Sequence, residues 1–331
     1  MIGDMDTRFG TALHITDQSH EYINAKWEED KLNSIDFKLM SVPPHDTPIL
    51  GMVSRPPVQS ALQYGYNADF WVEYSSGLVD LSCKNPLKPG ENLDTSPPAK
   101  GADELEFVVD GSRTLRVDTN ATALVVIDMQ NFFLHPDLRD HRLGLKCVDP
   151  LLRVIPVLRE KGVKILWVNW GLTDHELKTL PPALIRGFRR PQSIREGGFG
   201  SELPGNFGRL LMRDERNSDL YGPLQDEYIK GQKRGTDFWI HKNRMSALWD
   251  RTALDLFLKE NGLRTLLFAG VNTDQCVGGT LIDAYYRGYD CILLQDATAT
   301  TSPTGGFENV IYNAGNSYGF VTDTGRVMAA Q

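Results

Sequence analysis

From Ala121 onward the chain alternates between short, unbroken apolar runs and stretches with apolar residues at helical spacing. The runs lie at 121–127 (followed by Asp128), 164–170, 265–269 (followed by Gly270), 291–294 and 319–322. Rich in Val, Ile and Leu and lacking polar alternation, they have the pattern of strands buried on both faces of a parallel sheet. Between them, 150–161 sets Leu151, Leu152, Ile155 and Leu158 at helical spacing, and 253–261 and 280–287 read as further helices. Each helix ends at or beside a glycine, Gly162, Gly262 or Gly288, that opens the next strand. Repeated β-α-β units with short connections predict an α/β fold: a doubly wound, mostly parallel sheet with helices on both faces.

Residues 1–117 lack that rhythm. Turn signals at Pro43-Pro44, Pro56-Pro57, Pro86 and Pro97-Pro98 separate short aromatic or β-branched runs such as 69–74 and 106–109. This predicts an irregular, β-rich N-terminal extension with long loops, to which no chemistry is assigned. The α/β domain then occupies 118–331, with a long insertion at about 171–236. That insertion is basic in places (Arg186, Arg189, Arg190, Arg195) and rich in glycine around 197–208. An excursion of this length is read first as a lid or substrate wall, then as a subunit contact, then as a solvated loop.

Composition narrows the function classes. The 331 residues are 41% hydrophobic and 24% charged, so the chain can bury a sizeable core. Asp and Glu number 43 against 35 Lys and Arg, a formal charge of -8, which argues against nucleic acid as a partner. No apolar run approaches the roughly 20 residues of a membrane helix. Residues 1–10 lack the apolar segment of a signal peptide. Cys83, Cys147, Cys276 and Cys291 form neither a C-x-x-C pair nor a zinc spacing with histidine. Reduced thiols in a cytoplasmic setting are therefore expected, with neither membrane nor nucleic acid as partner.

Ligands of open α/β sheets sit beyond the carboxyl ends of the strands. There the first run presents Asp128, the second Asn169 and Trp170, and a short run at 239–242 ends in Lys242. The run at 265–269 leads through Gly270-Val-Asn-Thr-Asp-Gln to Cys276, where a helix is expected to start. A cysteine at a helix N-terminus beside a cation has its thiol pKa lowered and becomes a nucleophile. A nearby acid can relay its proton to a leaving amine. Taken singly, a cysteine such as Cys276 is most often a small buried residue, and an aspartate such as Asp128 is often only a helix or turn cap.

The stretches Ile127-Asp-Met-Gln-Asn-Phe-Phe133, Lys242 followed by Ser246, and Gly270-Val-Asn-Thr-Asp-Gln-Cys276-Val resemble the isochorismatase-like cysteine hydrolases. The resemblance covers about residues 119–325, with the motifs in the family's order, and looks closest to the ureidoacrylate amidohydrolases. It implies Asp128 as proton-relay acid, Lys242 as the cation beside the thiolate and Cys276 as the nucleophile in a catalytic triad. It also implies a non-proline cis peptide at Val271–Asn272, turning the N–H groups of Asn272 and Cys276 toward a developing oxyanion. The activity implied is hydrolysis of a small amide, ureido or carbamoyl substrate through an acyl-enzyme, without a cofactor, in a homo-oligomer.

Metal-binding nicotinamidases of this family resemble one another in a D-W-H-P-A-D-H stretch. Here it reads Asn169-Trp-Gly-Leu-Thr-Asp-His175, which keeps only His175 of the three ligands, so no metal is expected. Gln130, Phe133, Asn169 and Trp170 are candidates for holding a planar ureido group, or else for capping strands and filling core. An arginine among Arg186, Arg189, Arg190 and Arg195 is a candidate for a substrate carboxylate; the alternative is a solvated basic loop. His135 and His141 are read as loop residues. Two other functions stay open: an isochorismatase-type hydrolase of a vinyl ether, and a non-catalytic interaction protein on the hydrolase scaffold.

Overall fold

The structure, a computed structural model, describes residues 55–88, 96–109, 113–189, 197–250 and 252–330. Its N-terminal part is β-rich. Strands β1 (Leu62–Tyr66), β2 (Asp69–Glu73), β3 (Leu78–Asp80), β4 (Glu104–Val109) and β5 (Arg113–Asp118) form a mixed sheet in the order β1-β2-β3-β5-β4.

The apolar runs that follow become β6 (Thr122–Ile127), β7 (Lys164–Trp170), β8 (Asp237–Lys242), β9 (Thr265–Val271), β10 (Asp290–Ala299) and β11 (Gly319–Thr322). They pair in parallel throughout, in the order β11-β10-β9-β6-β7-β8. Helices α1 (Asn131–Leu134), α2 (Arg142–Lys146) and α3 (Val148–Glu160) follow β6. Helices α4 (Asp174–Leu177), α5 (Pro182–Phe188) and α6 (Pro223–Arg234) follow β7. Helix α7 (Ala253–Glu260) precedes β9, α8 (Gly278–Tyr286) precedes β10, α9 (Gly306–Asn313) precedes β11, and α10 (Thr324–Met328) comes last. Among the described residues no helix is long and apolar enough to cross a membrane.

Alternate residues of the strands enter two cores. Leu124, Val126, Ile165, Trp167 and Leu267 share one with Leu151, Ile155 and Leu158 of α3. Ala123, Val125, Leu166, Val168 and Leu266 share the other with Leu254 and Leu258 of α7 and Leu281 of α8. Burial on both faces is why the runs are continuous in sequence. The first core also takes in Leu105, Phe107 and Leu115 of the mixed sheet. Polar contacts join the same parts: Trp71 Nε1 donates to Asp290 at 2.6 Å, and Thr322 Oγ1 to the Val108 carbonyl at 2.7 Å. The described residues all fall within one compact unit.

Three elements differ from the sequence expectation. Strand β10 runs past the polar Gln295-Asp296, because a register shift lets Thr298 and Ala299 pair again with Gly270 and Val271. Within the insertion, α6 is a full helix that its polar composition hides. Its buried positions, Leu224, Glu227, Tyr228 and Gly231, nevertheless recur at helical spacing. Finally, α8 does not start at Cys276: a π-helical turn, Thr273–Val277, comes first. Such turns are frequent at functional sites.

Candidate active site

Asp128, Lys242 and Cys276 come from the carboxyl ends of β6 and β8 and from the turn after β9. Asp128 is fully buried and has φ +54°, in the left-handed region, while its N–H still donates to the Val168 carbonyl at 3.0 Å. Close approach of β9 to β6 is possible because position 270 is glycine: a Cβ there would stand 2.0 Å from the Ile127 carbonyl oxygen. Lys242 Nζ lies 2.9 Å from Asp128 Oδ2 and 3.5 Å from Cys276 Sγ. It also donates to the carbonyls of Arg244 (3.1 Å) and Met245 (3.3 Å), and sits 3.9 Å from the centre of the Trp170 ring. The Lys242 amine is thus enclosed by a carboxylate, a thiol, two carbonyls and an aromatic face.

The turn carrying Cys276 is braced from several sides. The Val271–Asn272 peptide is cis. Thr298 Oγ1 donates to the Gly270 carbonyl at 2.9 Å and bonds Thr273 Oγ1 at 2.8 Å. Thr280 Oγ1 donates to the Cys276 carbonyl at 2.7 Å. His141, read from sequence as a loop residue, is buried here. Its Nδ1 accepts from the Gly144 N–H at 2.9 Å, so Nε2 carries the proton and donates to Asn272 Oδ1 at 2.7 Å. No spacing rule links positions so far apart in sequence, and histidine is not among the usual helix caps.

The electrostatics differ from the expected lowered thiol pKa. Burial and the neighbouring Asp128 carboxylate push the Cys276 thiol up to about 12, against the opposing pull of Lys242. Burial likewise raises the Asp128 carboxyl above the ordinary aspartate range, with Lys242 and the Cys276 thiol drawing it down. Lys242 is already paired with Asp128, so little positive field is left over for the sulfur. At rest the proton belongs to the thiol, beside a carboxylate that can accept it.

Cys276 opens into a cavity of about 750 Å³. Phe133 and Asn272 also line it; Gln130, Asn169 and Trp170 are not among its lining residues. The Gln130 amide is engaged with backbone: Nε2 donates to the Trp170 and Ser218 carbonyls, and Oε1 accepts from the Trp170 N–H. Trp170 packs on Phe188 and Phe199 behind Lys242. The Asn169 amide is fully buried, with no hydrogen-bond partner among the described residues. Helix α5 forms a wall of the cavity through Ala183, Leu184, Gly187 and Phe188. Arg186 and Arg189 are exposed and do not line it; Arg190 and Arg195 lie outside the described residues. Arg139 and Arg244, which the sequence reading passed over, do line it.

His175 is exposed on α4. The space beside Gly171 is filled by the His241 ring, whose Nδ1 would stand 2.1 Å from a Cβ there. Burial lowers the His241 pKa to about 4, so this ring is neutral.

A family model for the isochorismatase domain matches residues 122–325. The ureidoacrylate amidohydrolase RutB of Caulobacter segnis is 27% identical over 214 residues, covering 63% of this chain and 84% of the relative. The ureidoacrylate amidohydrolase RutB of Yersinia enterocolitica is 27% identical over 224 residues, covering 62% and 86%. Among solved structures, a cysteine hydrolase from Pseudomonas syringae pv. phaseolicola superposes with a TM-score of 0.51 at 19% identity, covering 64% of this chain and 92% of that one. With more than half its length matched by the family model, the chain belongs to the isochorismatase domain family.

Proposed function

We propose that this protein is a cysteine amidohydrolase that cleaves the C–N bond of an amide, ureido or carbamoyl substrate through an acyl-enzyme on Cys276. One observation carries the reading. A buried thiol at a cavity wall stands 3.5 Å from an ammonium that is itself 2.9 Å from a buried carboxylate. The amidohydrolase relatives support it.

In the proposed reaction Asp128 takes the thiol proton as Cys276 Sγ bonds to the substrate carbonyl carbon, and the carbonyl π pair moves onto oxygen. We assign that oxyanion to the N–H groups of Asn272 and Cys276. Lys242 offsets the negative charge as it passes between carboxylate, sulfur and oxygen. The C–N bond then breaks, and the nitrogen leaves with the proton returned by Asp128. Water attacks the thioester with Asp128 again as base, releasing the acid and restoring the thiol. We further read 118–331 as the hydrolase domain, acting as an oligomer in a reducing, cytoplasmic setting.

The test is ammonia release from ureidoacrylate, biuret, N-carbamoyl amino acids, nicotinamide and simple amides, by the native protein and Cys276→Ala. Release that is lost in the variant, together with a trapped acyl adduct on Cys276, is the expected result. Full activity in Cys276→Ala, or turnover only of isochorismate by both proteins, would overturn the proposal.

A further inference from the structure

His141 joins a buried backbone group to the turn that carries the thiol. It precedes α2 directly and is buried. Its Nδ1 accepts the Gly144 N–H, one of the donors left over at the start of a helix. That bond sets the tautomer, so the ring proton stands on Nε2 and is given to Asn272 Oδ1. The ring comes this close because position 144 is glycine: a Cβ there would stand 2.9 Å from His141 Nδ1.

Asn272 is where this contact meets the chemistry. It lines the cavity together with Cys276. Its carbonyl accepts from the N–H groups of Gln275 at 3.1 Å and Val277 at 3.2 Å, the residues on either side of the nucleophile. On its side-chain amide the bond from His141, at 2.7 Å, is the short one; Nδ2 stands 3.4 Å from both Gln275 Oε1 and Thr301 Oγ1. His141 and Asn272 are both buried, where leaving a polar group without its partner is costly.

We infer that His141 is a positioning residue of the reaction: its Nε2–H fixes the Asn272 side chain, and with it the main-chain N–H groups of Asn272 and Cys276 assigned to the oxyanion. The inference rests on the amidohydrolase reading and deepens it. A histidine that served only to cap α2 would need Nδ1 alone. The other nitrogen is the one that reaches the turn.

Two substitutions separate the two ring nitrogens. His141→Asn keeps an acceptor near the place of Nδ1, and asparagine is a favoured cap, but its short side chain brings no donor to Asn272. His141→Gln keeps an amide N–H near the place of Nε2 and gives up the cap. On an amide that the native protein hydrolyses, His141→Asn should lower kcat by roughly 10- to 100-fold with KM and the denaturation midpoint near native, the range for a small misplacement at a reacting centre. His141→Gln should recover most of that loss although its denaturation midpoint falls. Native kcat in His141→Asn, or a glutamine variant no more active than the asparagine one, would overturn the inference. If His141→Asn does not fold, His141→Gln decides alone, by kcat kept or lost. A second readout does not need turnover. With benzaldehyde, Cys276 Sγ bonds to the carbonyl carbon, the π pair moves onto oxygen, and the thiol proton passes by way of Asp128 to that oxygen. The resulting hemithioacetal puts an oxygen where the oxyanion would form and should shield Cys276 from alkylation by iodoacetamide. Half-protection, measured against each protein's own rate without aldehyde, should need roughly 10- to 100-fold more benzaldehyde in His141→Asn than in the native protein or His141→Gln. Equal protection of the native protein and His141→Asn, or none in the native protein, would overturn the inference even if no amide proves to be a substrate. The selective effect without hydrolysis of any amide would instead uphold the positioning role of His141 and sink the amidohydrolase reading.

Discussion

At the scale of single residues, the chemistry turns on who holds the proton. A thiol pushed up to about 12 is not a standing nucleophile at neutral pH, so in the proposed reaction attack by sulfur goes with proton transfer to Asp128 in the same step. Asp128→Asn should therefore lower kcat by roughly 100- to 10,000-fold, the usual worth of a positioned acid–base group, as steady-state kinetics would measure. The acid limb of kcat/KM follows from the same residue. Asp128 must be ionised to accept the proton and its pKa is raised, so activity should fall on acidification at a pH above the ordinary aspartate value of 3.8. An acid limb at or below that value would contradict the assignment. Position 171 gives a second residue-level outcome. Gly171→His, which introduces a metal-ligand residue type, must displace the His241 ring. It should cost about 1–3 kcal/mol by overpacking, read from the denaturation midpoint.

At the scale of elements, strand β8 must be held still for Lys242 to keep two contacts at once. Its other end carries Asp237, whose carboxylate accepts from Arg159 of α3 at 3.0 Å and from Trp167 of β7 at 2.9 Å. Arg159 also donates to Glu227 of α6 at 2.6 Å. These buried groups lock the insertion's helix, the helix after β6 and the edge strand together. Arg159→Met would leave the buried Asp237 carboxylate without its cation and Glu227 with only the exposed Lys230, a loss of about 3–5 kcal/mol. Chemical denaturation checks the loss, and a variant as stable as the native protein would show the cluster to be dispensable. The strands of this frame were legible in sequence because burial on both faces leaves continuous apolar runs. Helix α6 was not, because it buries one narrow face that includes a glutamate, which is paired with Arg159 of another helix as well as with its own Lys230.

At the scale of the whole molecule, the mixed sheet and the parallel sheet share a core, and a buried carboxyl sits on their seam. Asp290 accepts from Trp71 Nε1 at 2.6 Å and from Thr265 Oγ1 at 2.9 Å. Burial, only partly offset by these bonds, raises its pKa from 3.8 to about 7. Between those values the folded protein holds a proton that the unfolded chain has released. Stability contributed by Asp290 is thus full below about pH 4 and is lost as pH rises to about 7, by at most about 4 kcal/mol. Asp290→Asn should flatten that part of the stability–pH curve, with Trp71 fluorescence reporting the same transition in the native protein. An unchanged slope in the variant would show that Asp290 does not titrate in this range.

The sequence by itself determined the alternation of buried strand and helix, and the residue types at the strand ends. Periodicity and motif spacing are local properties, and Asp128, Lys242 and Cys276 each sit where a local pattern ends. The tertiary structure alone decided how those groups influence one another. Desolvation and Coulomb interactions depend on distances through space, so the pairing of Lys242 with Asp128 and the raised thiol pKa have no sequence signature. The same holds for His141 on Asn272, for Arg139 and Arg244 on the cavity wall, and for His241 in the space beside Gly171. Each joins residues that only the crossing of strands and helices brings within a few ångströms.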